Sequence, residues 1–188
     1  MAEIILFNKI LALGTLVLQI AIVTFFLAII WAKNRNKKLP SFCQSCWNFL
    51  KQNSLLLAFL TVLGGTLASL FYSEIIDYAA CELCWFQRAL IYPQVIILGI
   101  ALWKKQKDIF DYVIALNIIG SLIALYQYYL QRFNVSTNCG SGDISCSSVY
   151  ILEFGYITIP MMALTLFVAV SILTYIYKHP HFKKSEAL

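Results

Sequence analysis

Charge is what this sequence has least of. Lys, Arg, Asp and Glu make up 12% of its 188 residues, against 61% for the hydrophobic set, where a soluble domain runs near a quarter charged. That scarcity excludes an ordinary water-soluble fold. Acidic residues are fewest, nine against fourteen Lys and Arg, for a formal net charge of +5. The basic excess does not indicate a nucleic-acid partner, because it sits in short clusters beside apolar blocks, as topology determinants do at a membrane surface. No long internal repeat, low-complexity stretch or independent soluble segment is present. Period-two alternation of polarity is missing too, which excludes the strands of a membrane barrel.

What the sequence has instead is a series of long apolar runs, at 10–32, 54–72, 85–103, 110–130 and 156–177. A helix needs about 20 residues to cross the hydrocarbon core, and each run is close to that. In lipid the backbone must satisfy its own hydrogen bonds, so the runs predict an all-α integral membrane fold. The first run is too long for a signal peptide, and no small-residue cleavage site precedes the basic cluster Lys33, Arg35, Lys37 and Lys38, so it is expected to remain as a helix. Gly64, Gly65, Gly120 and Ser121 would let helices approach closely. Pro93 should weaken the backbone ladder of the third helix.

Loop charges give the expected orientation. Lys33, Arg35, Lys37, Lys38 and Lys51 fall between the first two helices, Lys104, Lys105 and Lys107 between the third and fourth, and Lys178, Lys183 and Lys184 in the tail. The other side has Lys9 and Arg132. The positive-inside rule then puts the N-terminus outside the cytoplasmic membrane, the C-terminus inside, and loops 73–84 and 131–155 outside.

Six cysteines fall into three pairs: Cys43 and Cys46, Cys81 and Cys84, Cys139 and Cys146. The last two pairs lie in the outer loops, where disulfides persist; the first falls inside, where thiols stay reduced. Cys81-Glu82-Leu83-Cys84-Trp85-Phe86-Gln87-Arg88 is the central feature. A Cys-x-x-Cys pair often has a lowered thiol pKa. Cys84 is expected at or just before a helix N-terminus, where free N–H groups and the dipole favour a thiolate. Arg88, four residues on, shares its helical face. An arginine at the membrane edge is costly unless it snorkels or works; beside a thiolate it could polarise a lipid-soluble acceptor such as a quinone.

The second loop, Asn138-Cys139-Gly140-Ser141-Gly142-Asp143-Ile144-Ser145-Cys146, is turn-rich. It could carry either cysteine to the first pair, or hold a static structural disulfide. A tetrahedral zinc site is disfavoured by the wide spacing of that pair. Cys43-Gln44-Ser45-Cys46 and the tail residues His179 and His181 receive no role. Two rival readings are a thiol reductase working outward and a subunit braced by structural disulfides.

The chain resembles the bacterial disulfide bond formation proteins of the DsbB family, BdbC-like members included. The likeness rests on the Cys81 to Arg88 run, on Tyr92-Pro93, and on Phe154-Gly155-Tyr156-Ile157-Thr158-Ile159-Pro160-Met161. It implies a four-helix transmembrane bundle core over 54–177, with 1–53 an extra N-terminal helix and basic loop and 178–188 a cytoplasmic tail. It implies a bound quinone (ubiquinone or menaquinone) facing Cys84 and assisted by Arg88. Cys81 would exchange with the second loop, Cys139 would meet a soluble thioredoxin-like, DsbA-like oxidase, and Cys146 would resolve towards Cys81. The DsbA–DsbB–quinone route is the one that keeps the bacterial periplasm oxidising. The closer spacing of the second pair leaves open which of Cys139 and Cys146 meets the partner.

Overall fold

The computed structural model describes residues 2–35, 41–106, 108–135 and 145–178. Five α-helices account for most of them, with a short π-helical turn at Phe71–Ile75: α1 (Ala2–Arg35), α2 (Ser41–Leu70), α3 (Glu82–Lys104), α4 (Phe110–Arg132) and α5 (Ile159–Lys178). All five contain a stretch long and apolar enough to cross a membrane. The fold is an all-α membrane bundle.

The helices α2 to α5 pack in a closed ring, α2 on α3, α3 on α4, α4 on α5 and α5 back on α2. Phe110, Phe167, Leu98, Val62, Val113 and Val170 fill its centre. Lipid is as apolar as leucine, so burial alone does not drive this association; close packing at small residues does. Gly120 of α4 lies against the Phe167 ring of α5, and Gly65 of α2 against Leu166. A β-carbon at either site would collide with those side chains. Gly64 has open space instead. Helix α1 stands outside the ring and packs mainly on α5.

Two boundaries differ from expectation. The stretch up to Lys51 was expected as loop, yet α2 starts at Ser41 and carries Cys43 and Cys46 on its first turns. The polar composition of 41–51 obscured this start. The fifth run was expected to be helical from 156, whereas α5 begins at Ile159. Before it, Glu153 pairs with Ile157, and Phe154 and Gly155 take φ of 52° and 76°. Two left-handed residues in succession make a tight turn that suits glycine. Pro160 sits in the first turn of α5, where its missing N–H costs nothing. Helix α3 runs unbroken through Pro93 and stops at Lys105, which is left-handed.

At the end away from Cys81, Lys178 of α5 pairs with Asp111 in the first turn of α4. Asp111 is exposed and Lys178 partly so, so the pair adds little stability.

The Gly120–Phe167 contact gives a direct test. Gly120→Leu should lower the unfolding free energy in detergent by about 2 kcal/mol, read from thermal unfolding, and Phe167→Ala should recover part of the loss. Equal stability of Gly120→Leu and the parent would show that the α4–α5 approach is not close.

Candidate active site

The site forms where the N-terminus of α3 meets the C-terminal end of α4. Cys81 is the N-cap of α3, in extended conformation (φ −70°, ψ 170°), and its carbonyl accepts from the Trp85 amide at 3.1 Å. Cys84 therefore lies inside the first turn rather than ahead of it. The three-residue step brings both sulfurs to one side, with Sγ atoms 3.0 Å apart and both thiols free. A disulfide needs about 2.05 Å, so closing the pair asks for about 1 Å of movement.

A residue absent from the sequence reading organises the pair. Gln127 of α4, 2% exposed, donates through Nε2 to Cys81 Sγ at 3.1 Å and to Cys84 Sγ at 3.2 Å. Its Oε1 accepts from Gln87 Nε2 of α3 at 2.7 Å. An amide has two N–H donors and one carbonyl oxygen, and here all three functions are engaged. Donors and the positive end of the α3 dipole thus surround sulfur atoms that carry negative charge during exchange. The signal in the sequence was a glutamine within an apolar run, since polar groups at membrane depth are functional candidates. Its partner lies more than forty residues away, which only the tertiary fold reveals.

The two thiols are not equivalent. Cys81 is 6% exposed. Its thiol is pushed above the ordinary range, first by its hydrogen bond to Cys84 and then by burial. Cys84 is only half-buried.

The second cysteine loop closes over this pair. Cys146, 1% exposed, is disulfide-bonded and packs in one cluster with Cys81, Leu130, Leu83 and Cys84. Tyr150 donates through Oη to the Ala79 carbonyl at 3.3 Å and stacks on Tyr78. Gln131 holds the Ser148 carbonyl at 2.9 Å. Cys139 lies outside the described residues, as do His179 and His181. Between the loops and the thiols is a cavity of about 20 Å³, lined by Cys81, Cys84, Gln127, Gln131, Tyr150 and Pro160 among others. That is room for about one water and too little for an aromatic ring.

Arg88 sits one turn beyond Cys84, half-buried, its guanidinium 5.2 Å from the centre of the Trp85 ring. Trp85 and Phe86 are 60% and 49% exposed, so this flank of α3 faces the lipid. Cys46 is exposed on α2; the Cys43 side chain is outside the described set.

The family model of the disulfide bond formation protein DsbB matches residues 51–177. The chain belongs to the DsbB family. It is 39% identical to the probable disulfide formation protein C of Bacillus cereus, over 63% of this chain and 90% of that protein. It is 44% identical to the SPbeta prophage-derived disulfide bond formation protein B of Bacillus subtilis, over 61% and 78%. It is 38% identical to a probable disulfide formation protein of Coxiella burnetii, over 63% and 82%. No solved structure matches the chain. The DsbB match covers α2 from Lys51 onward and α3 to α5, and leaves out α1 and the first turns of α2. The family makes this a membrane oxidoreductase of disulfide bond formation.

The inequality of the thiols sets an order of reaction. In the fully reduced protein, iodoacetamide should modify Cys84 well before Cys81 at neutral pH, as read by mass spectrometry. Because its pKa is raised, Cys81 stays protonated there and should gain reactivity only as pH climbs beyond the usual thiol range. Equal labelling of both at neutral pH would contradict the geometry.

Proposed function

We propose that this protein is a thiol–quinone oxidoreductase that reoxidises a soluble thioredoxin-like oxidase and passes the electrons to a membrane quinone. The carrying observation is the Cys81–Cys84 pair, held by Gln127 on one side, with the exposed Trp85 and Phe86 and the half-buried Arg88 following it on α3. The internal cavity is too small for a quinone ring, so the fitting surface is the lipid-facing flank of α3. There an aromatic shelf and a guanidinium, each able to engage a flat carbonyl compound, lie within a turn of a half-buried sulfur.

The steps balance as two exchanges and one oxidation. The partner's dithiol attacks the Cys139/Cys146 disulfide, giving the partner's disulfide and two loop thiols. Those thiols reduce the Cys81–Cys84 disulfide, with Cys146 resolving towards Cys81, its neighbour in the buried cluster. A quinone bound by Cys84 and Arg88 accepts two electrons and two protons and leaves as quinol. In each step Gln127 steadies whichever sulfur carries charge, and Gln87 keeps the Gln127 amide from turning over. Burial of Cys81 keeps water and stray thiols from the pair.

The loop charges support the orientation: N-terminus outside, C-terminus inside, and the redox cysteines on the extracytoplasmic face of the cytoplasmic membrane. The functional core is then 54–177, with 1–53 and 178–188 as additions. The quinone, whether ubiquinone or menaquinone, is the one the membrane supplies.

Purified protein, a reduced thioredoxin-like oxidase and a soluble quinone analogue provide the assay, read as quinol formed per oxidase consumed. Cys84→Ser should abolish turnover. Arg88→Ala should raise KM for the quinone about tenfold while thiol exchange with the partner persists. Gln127→Leu should lower kcat about a hundredfold, on the scale of losing a preorganised donor. Absence of quinol with both outer pairs resistant to the partner would replace this reading with that of a disulfide-braced subunit.

A further inference from the structure

Helix α1 lies outside the matched family region, and most of its surface is apolar and open to lipid, as at Ile10, Leu13 and Val17. Ring contacts such as Phe7 on Phe71 and Phe25 on Trp47 help to hold it, but apolar contacts carry no hydrogen-bond directionality. Two amide side chains on α1 do. Unpaired amides are costly at membrane depth, and both are paired with the core.

Asn8 is nearly buried and accepts through Oδ1 from Tyr72 Oη at 3.0 Å. Tyr72 stacks on Tyr78, with centroids 5.9 Å apart and planes 8° from parallel. Tyr78 stacks on Tyr150 at 4.9 Å. Tyr150 is a wall of the cavity beside Cys81 and Cys84, and its Oη holds the Ala79 carbonyl two residues before Cys81. An unbroken contact chain therefore runs from α1 to the first wall.

Gln19 makes the second connection. Its Oε1 accepts from Tyr156 Oη at 2.8 Å, and its Nε2 donates to Thr165 Oγ1 at 2.8 Å. Thr165 in turn donates to the Met161 carbonyl at 2.9 Å. Tyr156 ends the tight turn whose continuation, Ile159 and Pro160, forms another stretch of the cavity wall. The two anchors act on different loops and meet at one cavity.

We infer that α1 is a positioning element of the exchange site, with Asn8 and Gln19 as positioning residues that fix the two walls of the Cys81–Cys84 cavity. Neither touches a sulfur. Each acts through a tyrosine, Asn8 through Tyr72 and Gln19 through Tyr156. This rests on Cys81 and Cys84 being the exchanging pair, but not on any quinone being their acceptor.

The test is the alkylation rate of Cys81 in the reduced full-length protein, which needs no quinone and no partner. Gln19→Met keeps side-chain length and removes both hydrogen bonds; Asn8→Leu removes the other anchor. Each should speed Cys81 alkylation about fivefold, the scale expected when membrane hydrogen bonds that close a wall are lost, with thermal unfolding unchanged. Tyr156→Phe should match Gln19→Met, and the two combined should be no faster than either. Thr165→Ser should behave as the parent, and Thr165→Val as Gln19→Met. Parent-like Cys81 rates in both anchor variants would overturn the inference, as would equal acceleration by Leu13→Ala on the lipid face. Loss of quinone turnover in the parent would refute the proposed function and leave this result standing.

Discussion

One amide governs the site. Gln127 gives one hydrogen to each sulfur of the Cys81–Cys84 pair and accepts from Gln87. With Gln87 donating as it does, Gln127 turned by 180° would set donor against donor, so its orientation is tied to that of Gln87. It is also buried, where an unmet polar group is costly and a met one is stronger than in water. The ends of α3 and α4 are therefore locked in register by the same contacts that surround the reactive sulfurs.

That register depends on the ring beneath it. Gly120, two turns below Gln127 on α4, lets α5 come close through Phe167, and α5 carries Pro160 into the cavity wall. The tight turn at Phe154 and Gly155 then delivers Tyr156 and the start of α5 from the second cysteine loop. Tyr150 ties that loop to the residues just before Cys81. Packing, turn and loop contacts converge on a largely enclosed site with room for about one water.

How much of this could be read beforehand differs by residue. The five helices were legible because each apolar run is of membrane-spanning length. Of the small residues expected at helix contacts, Gly65 and Gly120 meet a neighbouring side chain and Gly64 does not; composition does not tell which face of a helix turns to its neighbour. The start of α2 was missed because Cys43 to Lys51 looks polar enough for a loop. Cys81 and Cys84 were visible from spacing alone. Arg88 was visible as an exception to apolarity, but its stacking on Trp85 was not. Gln87, Gln127, Asn8 and Gln19 carry their meaning in pairings with residues distant in sequence, and no local pattern encodes which partner each will find.

The central claim is that the Cys81–Cys84 pair itself delivers electrons to the quinone. A single-turnover experiment on Cys139→Ser/Cys146→Ser protein, pre-reduced at Cys81 and Cys84 and mixed with a quinone analogue, isolates that step. The account predicts one quinol per protein and a closed Cys81–Cys84 disulfide. Thiols that remain reduced while the quinone is unchanged would contradict it.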